Sequence, residues 1–231
     1  VHTTVDHLLY GSPDLETGIT EIERLTGVRP RYGGQHLGLG TRNALLSLGR
    51  RTYLEVIAPD PTQAELVATG TALPYRIETL HAPALRAWAA APHDIEGTVR
   101  AGRSAGLDFG EIAAHSRHTS GGEDVRWRMA TLAGDRGDDE GVAVLPFLID
   151  WGGGPHPAEQ APDGVRLREL RIVVRDSGSA ASQLRALGVD VGTGGERPLE
   201  GDVVVDVRAG DEAGLEAVLV TPDGREVVLR S

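Results

Sequence analysis

The sequence predicts an α+β fold of three βαβββ units, two of which pair into one curved mixed sheet that forms a cup with helices outside. Three observations carry this expectation. A segment that opens on Asp and closes on Gly occurs three times: DLETGITEIERLTG from Asp14, DIEGTVRAGRSAG from Asp94 and DSGSAASQLRALG from Asp176. Each start lies about 80 residues after the last, the signature of a repeated supersecondary unit. Each segment follows one apolar run and precedes several more, and such a unit cannot bury its sheet face alone.

Taken in order, VDHLLYG reads as the first strand. Asp14 then caps a helix whose apolar side holds Leu15, Ile19 and Ile22, and Gly27 supplies the left-handed residue that ends it. QHLGL, NALLSL and TYLEVIA read as the three strands that follow. The second unit repeats the plan with LRAWAAA, the helix from Asp94, then GEIAAHS, VRWRMATL and VAVLPFLIDW. Its acidic loop DRGDDEG lacks the spacing and terminal Glu of a calcium loop. The third has LRELRIVV, a helix carrying Ala180, Leu184 and Leu187 on one face, then DVVVDVR, EAVLVT and REVVLRS with a TPDG turn. Residues 1–151 are therefore expected to hold two units, about 1–62 and 80–151; GGGPHPAEQAPDG, residues 152–164, is a linker, and 165–231 the third unit.

Two absences narrow the chemistry. Among 231 residues there is no cysteine, which excludes disulfides, thiolate ligands, iron–sulfur clusters and thiol nucleophiles. All 23 Lys+Arg residues are arginine, which excludes lysine Schiff bases and pyridoxal-phosphate chemistry. A formal charge of -11 argues against a nucleic-acid partner and fits either a cationic partner or plain solubility. No apolar run approaches the roughly 20 residues of a membrane span. VHTTVDHLLYGSPD lacks the basic start of a signal peptide, so the expected location is cytoplasmic.

GGQHLGLGTRNALLSL followed by RTYLEVIAPD contains GG, His, GT, Asn and then a strand reading Tyr-Leu-Glu, with LPFLIDWG further on. This pattern resembles the glyoxalase-like domain family of the vicinal oxygen chelate (glyoxalase/bleomycin resistance/dioxygenase) superfamily. The resemblance implies a concave cup for a small ligand and, in a fold that often completes its cup across a dimer, a possible homodimer. It does not fix the activity, since members isomerise, oxygenate, hydrolyse or only bind. Two functions follow from it. One is a divalent-metal-dependent isomerase, lyase or hydrolase of a small oxygen-rich metabolite, such as an α-hydroxycarbonyl or lactone. The other is a non-catalytic binding or sequestration protein of the bleomycin-resistance type.

His7 shares a strand face with Val5 and Leu9 by alternation, and Glu55 lies inside an apolar run, where a carboxylate is costly unless a cation or donors meet it. The resemblance places metal ligands on the first and last strands of a unit, positions that His7 and Glu55 hold. His36, framed by glycines on the second strand, is the third candidate ligand; two histidines and a carboxylate suit Mn, Fe, Co, Ni or Zn. The rival reading makes His7 a core histidine and pairs Glu55 with a buried arginine such as Arg42 or Arg126. A second set of ligands is expected only as an improvisation from Glu169 or Asp150, because Ala87, Ile149 and Val228 occupy the other matching positions. Asp150 orients His7 or His36, or caps the next loop, and is a candidate catalytic residue beside Glu55. Asn43 binds the ligand or holds its turn. Arg126 and Arg128 share one side of their strand, gripping an anionic substrate or facing solvent. Trp151 is the remaining substrate-binding candidate. His115 and His118 are expected to be solvated near a hairpin tip, and His156 to be inert.

Overall fold

The computed structural model describes residues 2–68, 73–118, 124–133, 142–192 and 203–231. The first unit comprises β1 (Thr3–Gly11), α1 (Leu15–Thr26), β2 (Arg31–His36), β3 (Thr41–Gly49) and β4 (Thr52–Pro59). A short α2 (Ala64–Ala68) leads towards the second unit, made of β5 (Ala84–Pro92), α3 (Ile95–Ser104), β6 (Ala113–His118), β7 (Asp124–Ala130) and β8 (Phe147–Asp150). The chain continues through α4 (Pro157–Gln160) into β9 (Arg166–Val174), α5 (Ser177–Ala186), β10 (Val191–Gly192), β11 (Val204–Ala209), β12 (Gly214–Val220) and β13 (Glu226–Arg230).

The helices begin and end as their sequences dictate. Asp14, Asp94 and Asp176 accept hydrogen bonds from the backbone N–H of Thr17, Gly97 and Ser179 at 2.9, 3.0 and 2.9 Å. Gly27, Gly106 and Gly188 follow the last turns with φ of 76°, 84° and 78°, a region closed to most side chains. Downstream of α1, the second strand begins earlier than QHLGL: it runs over RYGGQH and stops at His36. Gly38 and Gly40, with φ of 78° and 70°, turn the chain there, which removes Leu37 and Leu39 from the strand.

Among the described residues, eight strands form one sheet in the order β2-β3-β4-β1-β5-β8-β7-β6. Within each half the first strand runs parallel to the last, β1 with β4 and β5 with β8, and the halves meet through antiparallel β1 and β5. The sheet curls into a half-barrel. The C-terminal strands form a second sheet, β10-β11-β9-β12-β13, in which β9 lies centrally between parallel β11 and antiparallel β12.

One core joins the two sheets. On the convex side of the large sheet, Leu8, Leu46, Leu54, Val56, Trp88 and Leu148 pack with Ile22 of α1 and Val99 of α3, and with Leu170, Ile172 and Leu229 of the small sheet. Thr3 fastens the join, its N–H and hydroxyl donating to the carbonyls of Gly188 and Leu187 at 3.0 and 2.6 Å. Alternation puts Leu170 and Ile172 into this core and turns Glu169 and Arg171 outward. There Glu169 accepts from Arg171 at 2.8 Å and lies 3.2 Å from Arg208, so it supplies nothing to the cup. Among the described residues no helix is long and apolar enough to cross a membrane.

Helix α1 lies so close to the sheet that a Cβ on Gly18 would sit 2.5 Å from Cγ1 of Val56 and 2.9 Å from Cβ of Ser12. Val56 is fully buried and β-branched, so it cannot swing aside. Alanine would add up to about 1 kcal/mol of helix propensity, but overpacking typically costs about 1–3 kcal/mol. Gly18→Ala is expected to lower stability by about 1–2 kcal/mol; a rise in the midpoint of urea unfolding would refute this packing account.

Candidate functional site

The concave face encloses a cavity of about 400 Å³, lined on one side by His7, His36, Asn43 and Glu55. A slip in strand pairing sets its geometry. Val5 faces Ala90 and His7 faces Ala89, so Asp6 is an extra residue on β1. Strict alternation would place Val5, His7 and Leu9 together. Instead Val5 joins the convex core while Leu9 belongs to the concave cluster beside His7. The same bulge lets the Asp6 carboxylate reach His7, Trp151 and His156.

Asp6 is buried at 1% exposure and accepts from three side chains. His7 Nδ1 lies 2.7 Å from Oδ1, His156 Nε2 lies 3.0 Å from Oδ2, and Trp151 Nε1 donates at 3.1 Å. Burial alone would push this carboxyl up. The hydrogen bonds from His156 and His7, with the favourable electrostatics of both rings, outweigh it and hold Asp6 below its ordinary value. His156 Nδ1 accepts the Ala158 N–H at 3.2 Å, so its proton sits on Nε2, towards Asp6. His7 likewise carries its proton on Nδ1, which leaves the Nε2 lone pair 3.6 Å from Glu55 Oε2.

A matching arrangement occurs on the other side of Glu55. Asn43 Nδ2 donates to Glu55 Oε1 at 2.6 Å and lies 3.3 Å from His36 Nε2. With Nε2 accepting, His36 donates from Nδ1 to Thr41 Oγ1 at 2.8 Å. His36 Nε2 is 3.6 Å from Glu55 Oε1. The Nε2 atoms of two imidazoles and one carboxylate therefore converge, all from the first unit. Among the described residues no group of three or more His, Cys, Asp or Glu side chains has the spacing of a formed metal site. The donor types nevertheless fit a first-row divalent ion, and Asp6 on His7 Nδ1 is the kind of partner that orients a ligating histidine.

The remaining candidates divide between the two sides of the sheet. Trp151 lines the cup with its indole held by Asp6. Trp127 and Met129 also face the cavity, whereas Arg126 and Arg128 are exposed on the alternate side of β7. Arg128 forms ion pairs with Asp150 and with Glu96 at the start of α3. Asp150 additionally accepts the Gly152 N–H at 2.8 Å. It caps that turn and is paired with Arg128, and neither Arg126 nor Arg128 is among the described residues that line the cup. Ala87 and Ile149 belong to the concave cluster, so the second unit offers apolar groups where the first has His7 and Glu55.

Two other histidines depart from expectation. His115 is half-buried and lines the cavity, stacked on Trp127 at 5.9 Å between ring centroids, and burial lowers its pKa. His156 is not inert: it is buried at 1% exposure against Asp6. The side chain of His118 and the loop DRGDDEG lie outside the described residues. Tyr75 also went unnoticed in the sequence. It lines the cup at a φ of 55°, a conformation that costs a bulky residue about 1–3 kcal/mol.

Two paired βαβββ units around a concave ligand cavity define a protein of the glyoxalase fold. The family model described as glyoxalase-like domain matches residues 5–201, and the chain belongs to that family. Among solved structures, a hypothetical protein from Staphylococcus aureus is similar in fold, at 14% identity and a TM-score of 0.65 over 91% of this chain and 88% of that one. Methylmalonyl-CoA epimerase from Mycobacterium tuberculosis is a more distant likeness, at 18% identity and a TM-score of 0.42 over 64% of this chain and 88% of the epimerase. No curated protein matches the chain.

Asp6→Asn removes a buried charge that three donors stabilise, each charge-assisted bond contributing about 1.5–3 kcal/mol, and is expected to destabilise the fold by about 2–4 kcal/mol at pH 7. Because the folded pKa lies below the unfolded one, near 3.9, this contribution is complete above that value and fades as pH falls through the folded pKa. Urea unfolding of both proteins at pH 7 and at pH 3 checks this. The gap between them should narrow at the lower pH, and a gap that widens would contradict the assignment.

Proposed function

We propose that this protein is a divalent-metal-dependent enzyme of the glyoxalase type, an isomerase, lyase or hydrolase of a small oxygen-rich metabolite. The convergence of His7 Nε2, His36 Nε2 and the Glu55 carboxylate in a buried cup carries this reading, because each ring nitrogen lies 3.6 Å from a Glu55 oxygen and a carboxylate so placed favours a cation beside it. His7, His36 and Glu55 would hold the ion, which when bound supplies Lewis-acid polarisation of a carbonyl oxygen. The chain's own residues do the rest. Asp6 keeps the His7 proton on Nδ1, and Thr41 does the same for His36. Asn43 fixes one oxygen of Glu55 and so sets the direction of the carboxylate, the group that would take a proton from the bound ligand.

A second reading, a binding protein without chemistry, is favoured by one specific observation: Ala87 and Ile149 supply no donors from the second unit. Calorimetric titration of Mn, Co, Ni and Zn into wild type, His7→Ala and Glu55→Ala separates the two. The enzyme reading expects micromolar or tighter binding, weakened at least about a hundredfold in either variant, as loss of one ligand from a three-donor site implies. Arg128→Ala, altered on the outer side of the sheet, should bind as wild type does. Absence of binding, or binding indifferent to both changes, would leave the cup as a ligand trap.

A further inference from the structure

The cup is chemically two-sided. The polar groups gathered around Glu55, namely His7, His36 and Asn43, come with it from β1 to β4, in the first unit. The second unit contributes Trp127, Met129, Phe147, Ile149 and Trp151, with Glu111, His115 and Thr131 beside them, and the segment before β5 adds Tyr75. These rings are mutually supported. Trp127 and Trp151 lie 5.6 Å apart between centroids and tilted by 45°, Phe147 meets Tyr75 at 6.3 Å, and Phe147 also touches the His7 ring edge-on at 5.3 Å. Among the described residues that line the cavity there is no arginine, and the chain has no lysine, so no protein cation waits for an anionic ligand.

We propose that the ligand is a neutral aryl α-hydroxycarbonyl compound, a flat aromatic ring carrying a short oxygen-bearing head. The ring lies against the wall of Trp127, Phe147 and Tyr75, and the head oxygens point across the cup to His7, His36 and Glu55. Offset or edge contacts between rings favour such a ligand over an aliphatic one of the same head group. Glu55 and the nearby Asp6 disfavour a carboxylate in its place. A cavity of about 400 Å³ suits a single ring and a two-carbon head. The position of the head rests on the function proposed above; the aromatic wall stands without it.

Binding is tested with three probes, 2-hydroxyacetophenone, hydroxyacetone and mandelate, by tryptophan fluorescence and calorimetry, with and without Mn. The expected result is that 2-hydroxyacetophenone binds about ten- to a hundredfold more tightly than either of the others, the gain that burying one ring implies. Trp127→Ala should reduce that advantage by about tenfold while leaving hydroxyacetone and metal affinity unchanged. The probe series on the unaltered protein decides the matter even if the variant folds poorly. Equal affinities, a preference for mandelate, or no saturable binding of any probe overturns the proposal. If the aryl preference persists while no metal binds, the enzyme reading falls alone; if metal binds and hydroxyacetone is preferred, the aryl proposal falls alone.

Discussion

The Asp6 carboxylate ties β1 to the stretch that holds Trp151 and His156, far along the chain, and the geometry of the cup depends on it. Burying a carboxylate costs several kcal/mol even after the protein relaxes. Three donors, His7, His156 and Trp151, contribute roughly 1.5–3 kcal/mol each and offset that cost. The arrangement is not neutral for chemistry, because accepting from Nδ1 decides which nitrogen of His7 is bare. It also fixes the segment between the two sheets, since His156 is the N-cap of α4 and brings that helix beneath β3 and β4. A residue that looks like a linker histidine is thus structurally coupled to the cup.

The large sheet has two faces with different tasks. Its convex face is apolar and dry, covered by α1, α3 and the C-terminal sheet, and supplies the common core. Its concave face accepts buried polar groups, and these are mutually satisfied: Asn43 donates to Glu55 and approaches His36, while Thr41 holds the far side of the His36 ring. None of the described residues of the C-terminal sheet lines the cavity. It turns leucine, isoleucine and valine towards the shared core and meets water with a lattice of Glu169, Arg171, Glu216 and Arg230, a distribution that a period of two produces directly.

Much of this was legible in the sequence. The Asp caps and closing glycines marked all three long helices, and the order of strands gave the paired units and their cup. His7, His36, Asn43, Glu55 and Trp151 could be gathered because each lies on a strand, or just past one, whose face a pattern could assign. Asp6 could not. Alternation sends it away from His7, and only the bulge, invisible without the partner strand, brings it back. His156 was hidden for another reason: its partner is distant in sequence, and PHP between glycines and a charged stretch has the composition of a connector. For Arg126 and Arg128 the alternation with Trp127 and Met129 was correct, but alternation does not say which face is the cup. The aromatic side faces inward because burying those rings is favourable, whereas burying two guanidinium groups without carboxylates is not.

The asymmetry of the cup limits what can happen inside it. His7, His36, Asn43 and Glu55 approach the centre from one unit, whereas Trp127, Met129, Phe147 and Ile149, with His115 beside them, face them from the other. Such a site would orient a ligand by its amphipathic shape. Strain in the wall is consistent with this, since Tyr75 is held at a positive φ and packs its ring towards Phe147. A cup with ligating groups on both flanks would hold a bound ion more symmetrically and leave less apolar surface. Here the second unit has Ala87 and Ile149 at the corresponding places, so that wall of the cavity is mainly apolar. The two copies of one structural unit thus give the cup chemically different walls.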